Sequence, residues 1–249
     1  MRIPMSAAAF DRIAEQYDRL WTESAVGRLQ REAVWRAVDP LFRPGDSILD
    51  LGCGTGEDAL HLMAAGVNVQ GIDASPAMVQ IARSRGVNAR TLPIESLDQL
   101  EGKFDGALSN FGPLNCVPQL EPVARALGHL IRRGGRIALC LMGRCCLWET
   151  AYLLCHGAWG KAVRRLHRTG ARSSIGVRVL YPSLHEVIHA FRRHFQLACW
   201  YGIGVTVPPS YVHMQERVLR CAAAVDRRIW RMPLVRAIAD HRLLVFTRI

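Results

Sequence analysis

The order of apolar and polar positions divides the first 142 residues into alternating strand-like and helix-like segments. An amphipathic stretch, Ala7–Val38, comes first and has apolar residues near helical spacing. Short apolar runs then predict five strands, near 47–51, 67–72, 90–92, 104–109 and 136–142. Helical spacing between these runs predicts helices over 57–65, 75–85 and 117–132. Strands that alternate with helices indicate an α/β fold built on an open, doubly wound parallel sheet.

The regular alternation of short strands and helices ends after Met142. Helical spacing predicts helices over 145–168, 183–194 and 210–238, and apolar runs predict strands over 197–207 and 241–249. These two strands bring the predicted sheet to seven, mostly parallel, and we interpret 143–182 and 208–240 as helical lid additions. We expect one structural domain, in which residues 1–143 form an N-terminal arm and the ligand-binding half of the sheet. Residues 144–249 are expected to form the substrate side.

Composition narrows the class of protein. Half of the 249 residues are hydrophobic and 21% are charged, as in soluble globular proteins. The first ten residues lack the long apolar run of a signal peptide, and glycines and prolines break the longest uncharged run, Gln196–Gln215. The eight cysteines include no C-x-x-C pair. These features predict a cytoplasmic protein with reduced thiols and no metal site.

Charge is divided unevenly between the two halves of the chain. Residues 1–143 contain 15 Lys and Arg against 16 Asp and Glu, whereas residues 144–249 contain 17 against 5. The net charge of +11 therefore arises in the second half. One interpretation is an anionic partner, either an acidic substrate, an acidic carrier protein or a peripheral membrane surface. The other is a solvated basic face that has no partner.

A glycine-rich turn follows directly on the first predicted strand, in the sequence Leu49-Asp50-Leu51-Gly52-Cys53-Gly54-Thr55-Gly56. Glycines adopt positive φ angles and let a ligand approach the backbone, and Cys53 is expected to contribute its backbone and not its thiol. The second strand leads to Asp73, 21 residues after Gly52, which predicts a carboxylate able to accept both hydroxyls of a ribose. Asp50 is expected only to orient the turn. Together these residues predict an adenosine-type cofactor.

The spacing of the glycines distinguishes between cofactors. A dinucleotide fingerprint is G-x-G-x-x-G, with a pyrophosphate at the helix N-terminus. Here the pattern is G-x-G-x-G, and Glu57 and Asp58 follow at once. Two carboxylates repel a pyrophosphate but suit a cofactor that carries a sulfonium and an ammonium group. The pattern favours S-adenosylmethionine (SAM) over NAD, and a turn of purely structural use is the alternative.

These motifs resemble those of the class I SAM-dependent methyltransferases, in particular the type 11 small-molecule group. The resemblance covers residues 7–143 well and the remainder only in general layout. The matching segments are Phe10-Asp11, Tyr17-Asp18, Leu49–Gly56, Gly71–Met78, Phe104-Asp105 and Leu130–Arg136. The resemblance implies a Rossmann-like methyltransferase fold, SAM as the cofactor and S-adenosylhomocysteine (SAH) as its product.

The resemblance also implies roles for individual residues. Gly52 and Gly54 would pass along the amino-acid part of SAM, and Asp73 would hold the ribose. Further implied positions are Tyr17 against the methionine moiety, Ala74 and Met78 beside the adenine, and Asn110 where cofactor and acceptor meet. The family often has Asp-Ala after the third strand, where this chain has Pro93-Ile94, so a backbone contact at Ile94 is expected instead. Tyr17 and Met78 also suit plain packing positions.

The sequence identifies no catalytic residue. Methyl transfer depends mainly on alignment and exclusion of water, and it needs a base only when the acceptor must lose a proton. His213 is one candidate base, and a structural histidine is the alternative. An apolar, aromatic helix with a basic end predicts a largely apolar acceptor whose anionic part binds two arginines; the residues concerned are Trp148, Tyr152, Trp159, Arg164 and Arg165.

The predicted function is methyl transfer to an oxygen or nitrogen atom, with carbon as a further option, of a small, largely apolar metabolite. The alternatives are a methyltransferase acting on a carrier-protein-bound or lipid acid, and a non-catalytic SAM-binding protein. Nucleic acid is not expected as a substrate. The segment Asn110-Phe111-Gly112-Pro113-Leu114 lacks the Pro-Pro-aromatic motif of base methyltransferases, and no recognition module is evident.

Overall fold

A sheet of seven strands runs through the computed structural model, which describes residues 5–212 and 214–249. In chain order the helices and strands are α1 (Met5–Asp11), α2 (Ala14–Tyr17), α3 (Ala25–Val38), β1 (Ser47–Leu51), α4 (Glu57–Ala64), β2 (Asn68–Asp73), α5 (Pro76–Ser84), β3 (Asn88–Thr91), β4 (Phe104–Ser109), α6 (Leu120–Leu130), β5 (Ile131–Met142), α7 (Leu147–Cys155), α8 (Trp159–Ala162), β6 (Ala171–Arg172), β7 (Arg178–Val179), α9 (Leu184–Phe191), β8 (Phe195–Ile203), α10 (Glu216–Ile229) and β9 (His241–Arg248). A π-helical turn, Asp18–Thr22, joins α2 to the segment before α3.

The strand order is β3-β2-β1-β4-β5-β9-β8. The first five strands in this order are parallel, and β9 lies antiparallel between β5 and β8. This topology confirms the predicted doubly wound, mostly parallel sheet of seven strands. It also brings the carboxyl ends of β1, β2, β4, β5 and β8 and the start of β9 to one edge, where open α/β sheets bind ligands.

Both faces of the sheet are covered. Successive side chains of a strand point to opposite faces, so Leu49 and Leu51 enter one core cluster while Ile48 enters the other. The second cluster includes Val34 and Val38 from α3, which packs on the same face as Ile48. Burial on both faces explains why the strands are nearly continuous apolar runs in the sequence.

Local capping fixes the starts of two helices. The Ser75 hydroxyl accepts a hydrogen bond from Met78 N at 3.2 Å, and Pro76 takes the first helical position of α5, as predicted. Ser183 and Glu186 form a capping box at the start of α9. Over residues 5–212 and 214–249, no helix combines the length and the apolar character needed to cross a bilayer.

The second half departs from the predicted helices. The helix predicted over 145–168 is wrong as one element, because the chain breaks after α7 at Gly157, whose φ is +69°. A short α8 and a 3-10 turn, Arg164–Leu166, follow. The helix predicted over 210–238 is reduced to α10 and a 3-10 turn, Val235–Ile238. The β6–β7 hairpin was not predicted.

Candidate functional site

The glycine turn is fixed to the neighbouring strand by its own backbone. Gly52 N and Cys53 N both donate to the Ile72 carbonyl, at 2.8 and 2.9 Å. Gly52 has a φ of +71°, and a Cβ there would lie 2.4 Å from Pro113. Gly54 has a φ of +54°, but a Cβ there would meet no atom within 4 Å. The turn therefore requires glycine for its conformation and leaves open space beside Gly54.

The Asp73 carboxylate lies directly against this turn. Its Oδ2 accepts a hydrogen bond from Gly54 N at 3.0 Å, and its Oδ1 accepts one from Ser75 N at 2.8 Å. Burial raises the pKa of Asp73 above its ordinary value, although these two backbone bonds oppose the rise. The structure therefore brings together the two features that the motif spacing predicted, the turn and the carboxylate.

Two further carboxylates are buried near the turn. Asp58, in the first turn of α4, accepts hydrogen bonds from Arg31 at 2.5 Å, Trp35 Nε1 at 2.7 Å and Asn110 Nδ2 at 3.1 Å. Asp50 is 2% exposed, and its Oδ2 has no hydrogen-bond partner among the described residues. A charged residue is rarely buried without a partner, so the position of Asp50 inside a buried strand is unusual.

Acidic side chains outnumber basic ones at this site. Burial raises the pKa of Asp50 well above its ordinary value, and Asp58 and Asp73 raise it further, while Arg31 opposes them. Arg31 forms its salt bridge with Asp58, and neither Asp50 nor Asp73 has a salt bridge among the described residues. The site is therefore suited to a ligand that carries positive charge.

The N-terminal arm closes over the turn. Burial raises the pKa of Tyr17 to about 12. The carboxylates of Asp73, Asp58 and Asp18 also raise it, whereas the charge of Arg31 lowers it. Tyr17 therefore lies near the carboxylates of Asp18, Asp58 and Asp73.

Two aspartates fasten the arm. Asp18 accepts hydrogen bonds from Thr55 Oγ1, at 2.7 Å, and from Arg85. Asp11 accepts hydrogen bonds from the Ser75 hydroxyl and, at 3.1 Å, from Ala77 N. Asp11 and Asp18 thus attach the arm to the glycine turn and to the start of α5.

The other predicted cofactor residues border the same edge. Ala74 is half-buried and Met78 is buried, both around the start of α5. The loop of Pro93 and Ile94 follows Leu92, whose N–H donates to the Asp73 carbonyl at 2.9 Å. Both residues of this loop are buried, and Ile94 belongs to a hydrophobic core cluster.

Cys53 and Asn110 are the remaining residues predicted to bind the cofactor. The Cys53 thiol points toward the sheet, since a Cβ on Gly71 would lie 2.8 Å from its sulfur. Burial raises the pKa of this thiol far above its usual range, so it is unreactive. Asn110 is buried and donates to Asp58, while its Oδ1 has no partner among the described residues.

The two arginines expected to bind an anion are already paired. Arg164 and Arg165 each donate two hydrogen bonds to Glu149, at 2.8–3.0 Å. Glu149 is 1% exposed, and Tyr211 also donates to it at 3.0 Å. The prediction that Arg164 and Arg165 are available to an anionic substrate is therefore wrong. His213, the candidate base, lies outside the described residues.

Two cavities open elsewhere on the described surface. One, of about 430 Å³, lies between α3, β8 and α10 and has Gln30 and Trp230 in its lining. The other, of about 570 Å³, is lined by Arg168, Arg172 and Arg178 and reaches Cys116 after β4. Within the same ranges of the chain, no three His, Cys, Asp or Glu side chains are grouped to hold a metal ion.

Part of the chain is similar in sequence to known methyltransferases. Residues 48–135 match the family model described as "Methyltransferase domain". The chain is 33% identical over 146 residues to a demethylmenaquinone methyltransferase of Clavibacter sepedonicus, a match that covers 54% of this chain and 56% of that protein. It is 32% identical over 165 residues to a malonyl-[acyl-carrier protein] O-methyltransferase of Pseudescherichia vulneris, a match that covers 65% of this chain and 61% of that protein. These matches thus span only about half to three-fifths of the curated relatives.

The likeness in structure extends over nearly the whole chain. The CcbJ methyltransferase from Streptomyces caelestis superimposes with a TM-score of 0.65 at 16% sequence identity, and the match covers 96% of this chain and 97% of that one. At this identity the likeness shows the fold alone. Residues 48–135 therefore match a methyltransferase domain, and the chain has the fold of a solved methyltransferase.

Proposed function

We propose that this protein transfers a methyl group from SAM to an oxygen or nitrogen atom of a small, largely apolar acceptor. One observation carries the proposal: an open glycine turn at Gly54 adjoins the Asp73 carboxylate and lies near two buried acidic side chains, Asp50 and Asp58, of which Asp58 pairs with Arg31. SAM carries a sulfonium and an ammonium group, so its charge is complementary to this site. When bound, it supplies a methyl group on a sulfur that departs as a neutral thioether.

The residues present fit this cofactor. Asp73 would hold the ribose, and the unpaired Oδ2 of Asp50 is a buried acceptor that still needs a partner. The backbone of the turn would run along the amino-acid part. The residues proposed to hold the cofactor are Tyr17, Gly52, Cys53, Gly54, Asp73, Ala74, Met78, Pro93, Ile94 and Asn110. In this proposal residues 1–143 bind SAM, and residues 144–249 contribute to the acceptor side.

A carrier-protein-bound or lipid acid is the second acceptor class. The cavity lined by Arg168, Arg172 and Arg178 favours it, because its lining carries three cations and no carboxylate. The partial match to an acyl-carrier-protein O-methyltransferase agrees with this class.

Replacing Asp73 by Asn is expected to weaken SAM binding by roughly 10-fold to 100-fold, because a hydrogen bond to a charged group contributes about 1.5–3 kcal/mol. Isothermal titration calorimetry with SAM measures the change. Asp105→Asn is the matched control. Asp105 also accepts a backbone hydrogen bond, from Ser47 N at 2.9 Å, but it lies at the opposite edge of the sheet.

Undiminished SAM affinity in Asp73→Asn would contradict the proposed cofactor site, as would an equal loss in Asp105→Asn. Formation of SAH with candidate acceptors then separates an enzyme from a non-catalytic SAM-binding protein. Turnover with small apolar acceptors supports the first acceptor class. Turnover only with acyl carrier protein or lipid acids supports the second.

SAM affinity is expected to rise with pH. The pKa of Asp50 is raised in the free protein by burial and by Asp58 and Asp73. A bound cation stabilises the ionised carboxylate, so binding lowers this pKa and releases a proton. Affinity should therefore increase with pH until Asp50 is ionised before binding. Calorimetry in two buffers of different ionisation enthalpy measures the released proton.

Asp50→Asn is the control for this pH dependence and should release no proton at Asp50. SAH lacks the sulfonium charge and is expected to release fewer protons than SAM. If the SAM affinity of the wild-type protein does not change with pH, binding of SAM does not lower the pKa of Asp50, which would contradict this prediction.

A further inference from the structure

Three side chains beside the candidate cofactor site have a buried polar atom without a partner. These atoms are Trp21 Nε1, Arg31 Nε and Asn110 Oδ1, and each lacks a hydrogen bond within the described residues. Buried polar groups in proteins are nearly always hydrogen-bonded, and exceptions in one place point to a missing ligand. Three of them together therefore mark a candidate binding site.

These three residues and His241 lie around Phe111. The Phe111 ring lies 5.5 Å from the Trp21 ring and 5.2 Å from the His241 ring, centroid to centroid. The Arg31 guanidinium carbon is 5.2 Å from the Phe111 centroid, and Asn110 precedes Phe111 in the chain. We call these five residues the Phe111 cluster. Phe111 has a φ of +53°, the only positive value of a non-glycine residue in the described ranges, and such backbone strain concentrates at functional sites.

The sheet places the Phe111 cluster beside the cofactor site. His241 begins β9, and because β9 is antiparallel to β5, His241 lies opposite Met142 at the carboxyl end of β5. Asn110 follows β4 at the same edge and donates to Asp58 in the first turn of α4, which the glycine turn leads into. The cluster thus lies where an acceptor has to meet the methyl donor.

We propose that the Phe111 cluster binds the acceptor, an aromatic compound with an ionisable hydroxyl group, and that His241 takes the proton of that hydroxyl. The inference rests on the proposed function. The rings of Trp21, Phe111 and His241 pack edge to face, which suits a flat aromatic guest. Trp21 Nε1 and Arg31 Nε are unused donors that would orient its oxygen.

The surroundings of His241 suit a proton acceptor. Its Nδ1 lies 3.4 Å from Asp240 Oδ2, and Arg165 holds the other carboxylate oxygen at 2.7 Å. A carboxylate beside Nδ1 favours the tautomer with the proton on Nδ1, so the lone pair of Nε2 is free. Burial lowers the pKa of His241, and the charge of Arg165 lowers it further. Asp240 and Glu149 oppose this change without reversing it, so the imidazole is neutral before reaction.

The proton and the electrons balance in this step. The hydroxyl proton passes to Nε2 and gives an imidazolium. The electron pair left on oxygen forms the bond to the methyl carbon, and the pair of the broken carbon–sulfur bond stays on sulfur. The imidazolium then returns its proton to solvent.

The test uses 4-nitrophenol, whose ionised form absorbs visible light, bound to the full chain in the presence of SAH. At a pH below the pKa of free 4-nitrophenol, the wild-type complex is expected to at least double the phenolate fraction. His241→Gln should bind SAH normally but lose this increase. His185→Gln, a change at an exposed histidine of α9, is the control and should behave as the wild type.

Trp21→Phe provides a second variant, because it removes one unused donor and leaves His241 in place. It is expected to weaken 4-nitrophenol binding at least threefold with SAH affinity unchanged. Equal phenolate fractions in the wild type and in His241→Gln, or no binding of 4-nitrophenol to a wild-type protein that binds SAH, would overturn the inference. Failure of the wild type to bind SAM or SAH would instead contradict the proposed function.

Discussion

The Gly54→Ala variant is expected to fold and to lose at least 100-fold in SAM affinity. A Cβ at this position would meet no protein atom within 4 Å and would project into the open space of the turn. The added methyl group therefore does not disturb packing, but it occupies space proposed for the cofactor. The φ of +54° adds a conformational cost of roughly 1–2 kcal/mol, which should appear as a modest loss of stability. Calorimetric titration with SAM and urea unfolding measure the two effects separately.

Gly86→Ala is the matched control for Gly54→Ala. Gly86 has a φ of +88°, and a Cβ there would also meet nothing within 4 Å, but it follows α5 and is not part of the glycine turn. Both variants are expected to lose similar stability, and only Gly54→Ala should lose SAM binding. Equal SAM affinities in the two variants would mean that the space beside Gly54 does not receive the cofactor.

The Glu149→Ala variant is expected to lose about 3–5 kcal/mol of unfolding free energy, because removing one partner of a buried ion pair leaves uncompensated charge. Glu149 accepts four hydrogen bonds from Arg164 and Arg165 and one from Tyr211. Asp240 is the second carboxylate of Arg165, so the variant leaves one carboxylate for two guanidinium groups. The side chain of Arg165 is only 7% exposed, so its charge has little access to water. Urea unfolding measures the loss, and the thermal midpoint should fall by roughly 10 °C.

The same network predicts acid sensitivity. Burial alone would raise the pKa of Glu149, but the hydrogen bonds from Arg165 and Arg164 outweigh burial and lower it. A depressed carboxylate pKa stabilises the fold above the pKa of the unfolded chain, and this stabilisation is lost as the pH falls through the folded pKa. Glu216→Ala is the control, since Glu216 pairs with Arg220 on the exposed face of α10 and should barely change stability. A loss in Glu149→Ala no larger than in Glu216→Ala would contradict the structural role of Glu149.

The elements that the sequence predicted best are those with local causes. β1 and β4 begin and end at the predicted residues, and Ser75 and Pro76 start α5 as expected. Strands buried on both faces consist of nearly continuous apolar residues, which can be recognised in the sequence. Helix capping depends on residues only three positions apart, so it too can be predicted locally. The nearness of Asp73 to the glycine turn was also predictable, because parallel neighbouring strands end at the same edge.

The second half was less predictable for a physical reason. Helical spacing between 145 and 168 cannot show that Glu149 is buried, or that the chain turns back at Gly157 to bring Arg164 and Arg165 to it. An excess of arginine in a sequence does not reveal which cations are paired. The anion-binding role assigned to these two arginines failed for that reason.

The sequence by itself determined the fold class, the glycine turn and the carboxylate beside it, since each depends on short-range periodicity or on the direction of adjacent strands. The tertiary structure alone decided which polar atoms are left without partners. Trp21, Phe111 and His241 come from three distant parts of the chain, and they meet only because β9 inserts antiparallel beside β5 while the arm folds over the sheet edge. Hydrogen-bond satisfaction depends on such long-range packing, and no local pattern of residues encodes it.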